Sequence, residues 1–168
     1  MVGLKQFREN ARLDGLCSEY SLKWDNCKSK KALMDVCLDA KGIDYLCDSI
    51  AKGWGISPDI ISEKFKAYIN GRYVYENKYT STLFCQYKGE IECDTTALTL
   101  VECDVDVFIP EYHICEIYAT GKTNINLHGN GRVVVIAYGN ADDVVVTKES
   151  EHLQYKRIQK KEKDRHDE

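Results

Sequence analysis

Two short stretches of this 168-residue chain concentrate carboxylates in a pattern that could do chemistry. Glu90, Glu92 and Asp94 alternate with Ile91 and Cys93, and Glu102, Asp104 and Asp106 alternate with Cys103, Val105 and Val107. Alternate residues of a strand share a face, so each run turns three acids outward and its apolar side chains inward. If the two strands are neighbours, like charges stand opposite one another at roughly a few tenths of a kcal/mol per pair, a cost that a merely solvated face has no need of. Such a face can keep a sheet soluble and guard its edge, dock a basic partner or hold a divalent cation. No EF-hand loop or other ligand spacing is present, so no metal is assigned. The six acids are read as partner-binding. Their partner is a basic surface, either the chain's own Lys28, Lys30 and Lys31 or a nucleic-acid-binding protein whose groove the carboxylates fill by imitating phosphates.

Catalytic groups are sparse. His113, His128, His152 and His166 lie far apart, and no Gly-rich phosphate loop, His-Glu-x-x-His or Gly-x-Ser-x-Gly occurs. His113 and Cys115 put a base and a thiol on one strand face, but Cys115 belongs to the inward-facing set and reads as core. The chain is therefore expected to be non-enzymatic and to need no cofactor. Eight cysteines, at 17, 27, 37, 47, 85, 93, 103 and 115, include no Cys-x-x-Cys pair. In the absence of a visible secretory signal they read as buried thiols of a cytoplasmic protein. The longest apolar run, residues 133–138, is far short of the roughly 20 residues that cross a bilayer as a helix, so no membrane association is expected.

Charge divides the chain into three. Residues 1–88 carry a net +3, residues 89–147 a net −8 and residues 148–168 a net +1. The acidic middle repels nucleic acid, so DNA or RNA is not the expected partner.

The elements that must position these groups follow from periodicity. Residues 1–72 read as a bundle of short helices. Leu4, Phe7 and Ala11, then Leu16, Tyr20 and Trp24, recur at helical spacing around Asp14-Gly15. Ser29 caps a helix with Leu33, Met34, Cys37 and Leu38 on one face, ended by Gly42; Ile43, Leu46, Cys47, Ile50 and Ala51 form the next. Ser57-Pro58-Asp59 starts a helix that runs to Asn70-Gly71. This helix supports the alternative reading, a helix-turn-helix-like nucleic-acid-binding regulator, although Asp59, Glu63, Lys64 and Lys66 leave its outer face nearly charge-balanced.

Residues 73–147 read as a β-subdomain built on a ten-residue repeat. Ile91-Glu92-Cys93-Asp94 recurs as Val101-Glu102-Cys103-Asp104, and Cys115, Ile125, Val135 and Val145 lie ten apart. Gly121 and Gly131 share one column and Gly129 and Gly139 another. A small β-solenoid of about twenty residues per coil fits this period, as does an antiparallel meander. The solenoid is preferred because residues 133–138 and 144–146 lack clean alternation. The stretch 121–143 resembles the RTX calcium roll in its Gly129 and Gly131, without the Gly-Gly-x-Gly-x-Asp signature. Residues 148–168 read as a charged helical tail, and the whole as an α+β chain.

Gly53-Trp54-Gly55-Ile56-Ser57-Pro58 and Ile69-Asn70-Gly71-Arg72-Tyr73 are the stretches in which the chain resembles small proteins carried by phages and mobile elements of bacteria. That resemblance implies an inhibitor that binds a host factor, including an anti-defence role against nucleases.

Overall fold

The computed structural model describes residue 9 and residues 18–53, 57–70, 72–74 and 79–160, apart from the side chains of residues 18, 20, 21 and 72–74. The helix expected around Leu4 to Ala11, Cys17, Trp54, Tyr75 and residues 161–168 lie outside the described residues.

Among the described residues four α-helices precede the strands: α1 (Ser18–Asp25), α2 (Lys30–Cys37), α3 (Gly42–Ala51) and α4 (Pro58–Lys64). Ser29 accepts a hydrogen bond from the Ala32 amide at 3.1 Å, the N-cap that satisfies one of the first-turn donors. Leu33, Met34, Cys37, Leu38, Ile43, Leu46, Cys47 and Ile50 are buried in one cluster, as their spacing predicts. Gly42 starts α3 instead of ending α2. Its amide donates to Asp39 Oδ1 at 2.7 Å, and a side chain there would collide with the Val36 carbonyl.

Ser57 accepts from the Ile60 amide at 3.2 Å and Pro58 occupies the first turn of α4. This helix stops at Lys64, well before Asn70. Phe65 is drawn into the core, a 3₁₀ turn follows at Lys66–Tyr68, and the Asn70 amide donates to the Leu83 carbonyl at 2.7 Å. Asn70 does take the left-handed conformation expected of a stop, at φ 61°.

Ten strands are described after them: β1 (Arg72–Val74), β2 (Thr80–Cys85), β3 (Lys88–Glu92), β4 (Ala97–Val101), β5 (Asp104–Ile109), β6 (Ile114–Thr120), β7 (Thr123–Gly129), β8 (Arg132–Ala137), β9 (Val144–Lys148) and β10 (Gln154–Gln159). One sheet has the order β1-β2-β4-β6-β8-β10 and the other β3-β5-β7-β9. Every pairing is parallel except that of β1 with β2. From β2 onward the chain passes alternately between the two sheets, which makes it a β-solenoid of about four turns and excludes the meander. The protein is α+β.

The ten-residue repeat does not hold. Ser81 pairs with Ala97, Ala97 with Glu116 and Arg132 with Gln154, steps of 16, 19 and 22 residues along one sheet. The corners between strands differ in length, so equal sequence spacing is not equal height in the stack. Cys115 stacks on Val133, and Val135 stacks on Ile117.

The solenoid interior holds Ile91, Cys93, Leu100, Cys103, Val105, Ile117, Ile125, Leu127 and Val135. The opposite face of the larger sheet contributes Leu83, Cys85, Ala97, Val101, Tyr118 and Tyr138 to the helical core. That sheet is thus covered on both sides, and β4 is buried at every residue, which is why its strands read as unbroken apolar runs. The sequence 154–159, expected to be helical, is strand β10, parallel to β8. Among the described cysteines Cys37, Cys47, Cys85, Cys93, Cys103 and Cys115 are buried free thiols and Cys27 is half-buried. No helix among the described residues is long and apolar enough to cross a membrane.

Candidate functional site

The outer surface of the four-stranded sheet carries most of the expected acidic face. Parity along β3 and β5 leaves Lys88, Glu90, Glu92, Asp104, Asp106 and Phe108 pointing away from the interior, while Ile91, Val105, Val107 and Ile109 are buried. Glu90 stands opposite Asp106 in the ladder and Glu92 opposite Phe108. Lys88, opposite Asp104, offsets one acid, with Nζ 3.7 Å from Asp104 Oδ2.

The six predicted acids are not one patch. Glu90, Glu92, Asp104 and Asp106 share the sheet face. Asp94 lies beyond the end of β3, exposed. Glu102 occupies the corner before β5, in the left-handed conformation at φ 50°, where its carboxylate accepts from Gln86 Nε2 at 3.1 Å. The corner interrupts the alternation that made Glu102 look like a strand residue.

Three residues that the acidic pattern did not single out complete the face. Asn126 Nδ2 donates to Asp106 Oδ1 at 2.9 Å and to Glu149 Oε1 at 3.0 Å. His128 Nε2 donates to the same Asp106 oxygen at 3.1 Å, and its Nδ1 is 3.7 Å from Glu149 Oε2. The hydrogen bonds from His128 and Asn126 hold the Asp106 carboxyl below its ordinary pKa. Phe108 is 48% exposed. An open groove of about 700 Å³ runs between Glu90, Glu92, Asp106, Phe108 and His128, with Ile91 beneath. The signal for Phe108 was present in the sequence: it occupies an outward position of the same alternation as Asp104 and Asp106.

A second constellation sits at the stacked corners after β3 and β5. Cys93, His113 and Cys115 bring two sulfurs and a ring nitrogen within 4.8 Å of one another. Both thiols are buried, and His113 is half-buried. His113 Nε2 lies 2.9 Å from the Thr95 carbonyl; a carbonyl only accepts, so this nitrogen carries the proton and the neutral ring's lone pair is on Nδ1. A hydrogen bond from Cys115 holds Cys93 below the ordinary thiol pKa, with His113 acting in the same direction, and Cys115 is pushed up in consequence. Reading Cys115 as core is right for its burial; its pairing with His113 was legible in the sequence, and the approach of Cys93 was not. Cys93 and Cys115 are one solenoid coil apart in sequence, a separation that no short motif encodes.

The fold and these two constellations define a helix-flanked parallel β-solenoid with an acidic, aromatic outer face. No protein-family model matches the chain, and no curated protein or solved structure is significantly similar to it.

Proposed function

We propose that the protein is a non-catalytic binding module that docks the outer face of β3, β5 and β7 on a basic protein surface. The observation that carries this reading is Phe108, a half-exposed aromatic in an open groove whose other walls are Glu90, Glu92, Asp106 and His128. An aromatic ring rimmed by carboxylates suits an arginine or lysine side chain: the ring face attracts the cation, and the acids accept its hydrogen bonds. Aromatic anchors inside a polar rim are also where interfaces concentrate their affinity. The resemblance to phage and mobile-element proteins makes a host protein the source of that surface, and inhibition by occlusion the consequence.

The test is affinity capture from bacterial lysate with the wild-type chain, the double variant E90Q/E92Q and F108A. All three substitutions are on the solvent face, so each variant is expected to fold. A partner retained by the wild type, released by salt and lost from both variants supports docking through this face. An identical set of proteins on all three baits sinks it.

A further inference from the structure

We propose that Cys93, His113 and Cys115 hold a zinc ion at the stacked corners of the solenoid. Packing alone does not account for this trio. In the next coil the position over Cys93 is Ile109, reached through the Cys93 amide that donates to the Phe108 carbonyl at 2.9 Å, and the position over Cys115 is Val133. Both are buried aliphatics, so the interior takes hydrocarbon at these heights. Among the described residues two thiols and an imidazole converge only where the corners after β3 and β5 meet.

The donor set selects the ion. Thiolate sulfur and imidazole nitrogen suit soft or borderline cations, whereas calcium and magnesium take oxygen ligands. Two thiolates and one neutral imidazole cancel the charge of a divalent cation, so the filled site is neutral and its burial costs little. A monovalent cation would leave a buried net negative charge. Zinc bound at usual lengths has donors about 3.5–3.8 Å apart; the observed spread, within 4.8 Å, closes to that by adjustments of about 1 Å.

The surrounding groups are those of a ligand shell. Thr95 fixes the His113 tautomer through its carbonyl, which leaves the lone pair on Nδ1; a ring N–H held by a backbone carbonyl in this way is usual for metal-bound imidazoles. Thr95 is itself buried, and its hydroxyl donates to the Ala97 carbonyl at 2.8 Å. A cavity of about 320 Å³ lined by Tyr112, His113, Ile114, Arg132 and Gln154 opens at His113, the half-buried member of the trio. On binding, both thiol protons leave to solvent and two Zn–S bonds form, with no change of oxidation state.

The test is titration of reduced, tag-free full-length protein with Zn²⁺, and separately with Co²⁺. The expected result is one ion per chain, release of about two protons, and thiolate-to-cobalt charge-transfer bands with the intense visible absorption of a tetrahedral site. C93S and C115S each weaken binding by about 100-fold or more, and H113A by about tenfold or more. Circular dichroism verifies that each variant folds. The cobalt spectrum and stoichiometry of the wild type need no variant and stand alone if one does not. Absence of one-to-one binding, a cobalt spectrum without thiolate bands, undiminished affinity in folded C93S, or a Cys93–Cys115 disulfide in protein purified without reductant would each overturn the proposal.

Discussion

The phenol of Tyr138 donates a 2.6 Å hydrogen bond to Asp44 Oδ1, joining the end of β8 to α3 across 94 residues of sequence. Tyr138 is 1% exposed, so its hydroxyl has no water to fall back on, whereas the Asp44 side chain keeps 44% of its exposure. Y138F is therefore expected to cost about 1–2 kcal/mol, below the upper end for charged acceptors because Asp44 rehydrates. Lys160 reaches the same oxygen at 3.3 Å from a half-exposed position, and K160A is expected to cost less than about 0.5 kcal/mol. Burial raises the Tyr138 pKa above its ordinary 10.0, so the folded state holds a proton that the unfolded state loses first. This contribution is complete below pH 10.0 and is lost as pH rises beyond it. Urea unfolding of the wild type and Y138F at neutral and alkaline pH checks both statements.

Glu90 and Asp106 are directly opposed like charges. Neutralising one of them, as in E90Q, is expected to stabilise the fold by roughly 0.2–1 kcal/mol while weakening capture of the basic partner. The opposite signs separate a docking face from a solvated one. Denaturation midpoints read beside partner retention measure the two effects on the same variant.

How much of this was legible in the sequence depends on what each residue faces. The burial of Ile117 and Val135 and the exposure of Glu92 and Asp104 follow from alternation, because parity within one strand is fixed by the pleat. Height in the stack is set by corner length, which composition does not report; hence Val135 lies over Ile117 and not in a column with Cys115. The strand at 154–159 was hidden by Arg157, which takes a half-buried position in the alternation and made the segment look uniformly charged. Of the thiol and imidazole trio, His113 and Cys115 were legible as a pair on one strand face, whereas their meeting with Cys93 was illegible for the same reason as the register. Its members meet only once the coil has closed, and nothing local in the chain marks that closure.

Asp106 gives the acidic face a pH signature. His128 and Asn126 hydrogen-bond its ionised form, so its folded pKa lies below the ordinary 3.8. A depressed carboxyl contributes stability that is present above the unfolded pKa and disappears as pH falls through the folded one. The wild type is thus expected to lose stability below about pH 4 more steeply than D106N, and the Asp106 carboxyl carbon to titrate below the ordinary Asp value by NMR. Parallel acid limbs in the two proteins would contradict the assigned hydrogen bonds.

Gly129, at the end of β7, and Gly53, just after α3, make a matched pair. Both have positive φ, at 103° and 71°. A Cβ on Gly129 would run into the Ile109 carbonyl and its neighbouring backbone atoms, whereas one on Gly53 meets nothing within 4 Å. G53A is expected to cost about 1–2 kcal/mol, the penalty of the left-handed conformation alone. G129A adds a backbone collision that no rotamer relieves, and about 3 kcal/mol or more is expected. Thermal unfolding of the two variants checks the ordering, and equal losses would mean that the corner yields.

Arg157 clamps the last strand of the larger sheet. Its Nη1 donates to the Val144 carbonyl at 2.8 Å, and its Nη2 to the Ala141 carbonyl at 3.0 Å and to Gln159 Oε1 at 2.9 Å. The planar guanidinium spans two separate carbonyls at once, which a single ammonium does not. R157K is therefore expected to lose about 1 kcal/mol and R157M about 2 kcal/mol, the second because both carbonyls lose their charged donor. The loss is expected to be local. Among the described residues β10 pairs with one neighbour, β8, so its amides should exchange with solvent faster in R157M while those of β4 and β6 stay protected. Fraying of β10 uncovers the ladder of β8, with Val133 and Val135 on its inner side, as an open parallel edge. Lys156 on the native edge strand, with Lys160 just beyond its end, discourages pairing with another chain; the β8 edge has Arg132 alone. R157M should accordingly self-associate at concentrations where the wild type stays monodisperse in light scattering, and uniform exchange across all strands without association would show that β10 does not act as this cap.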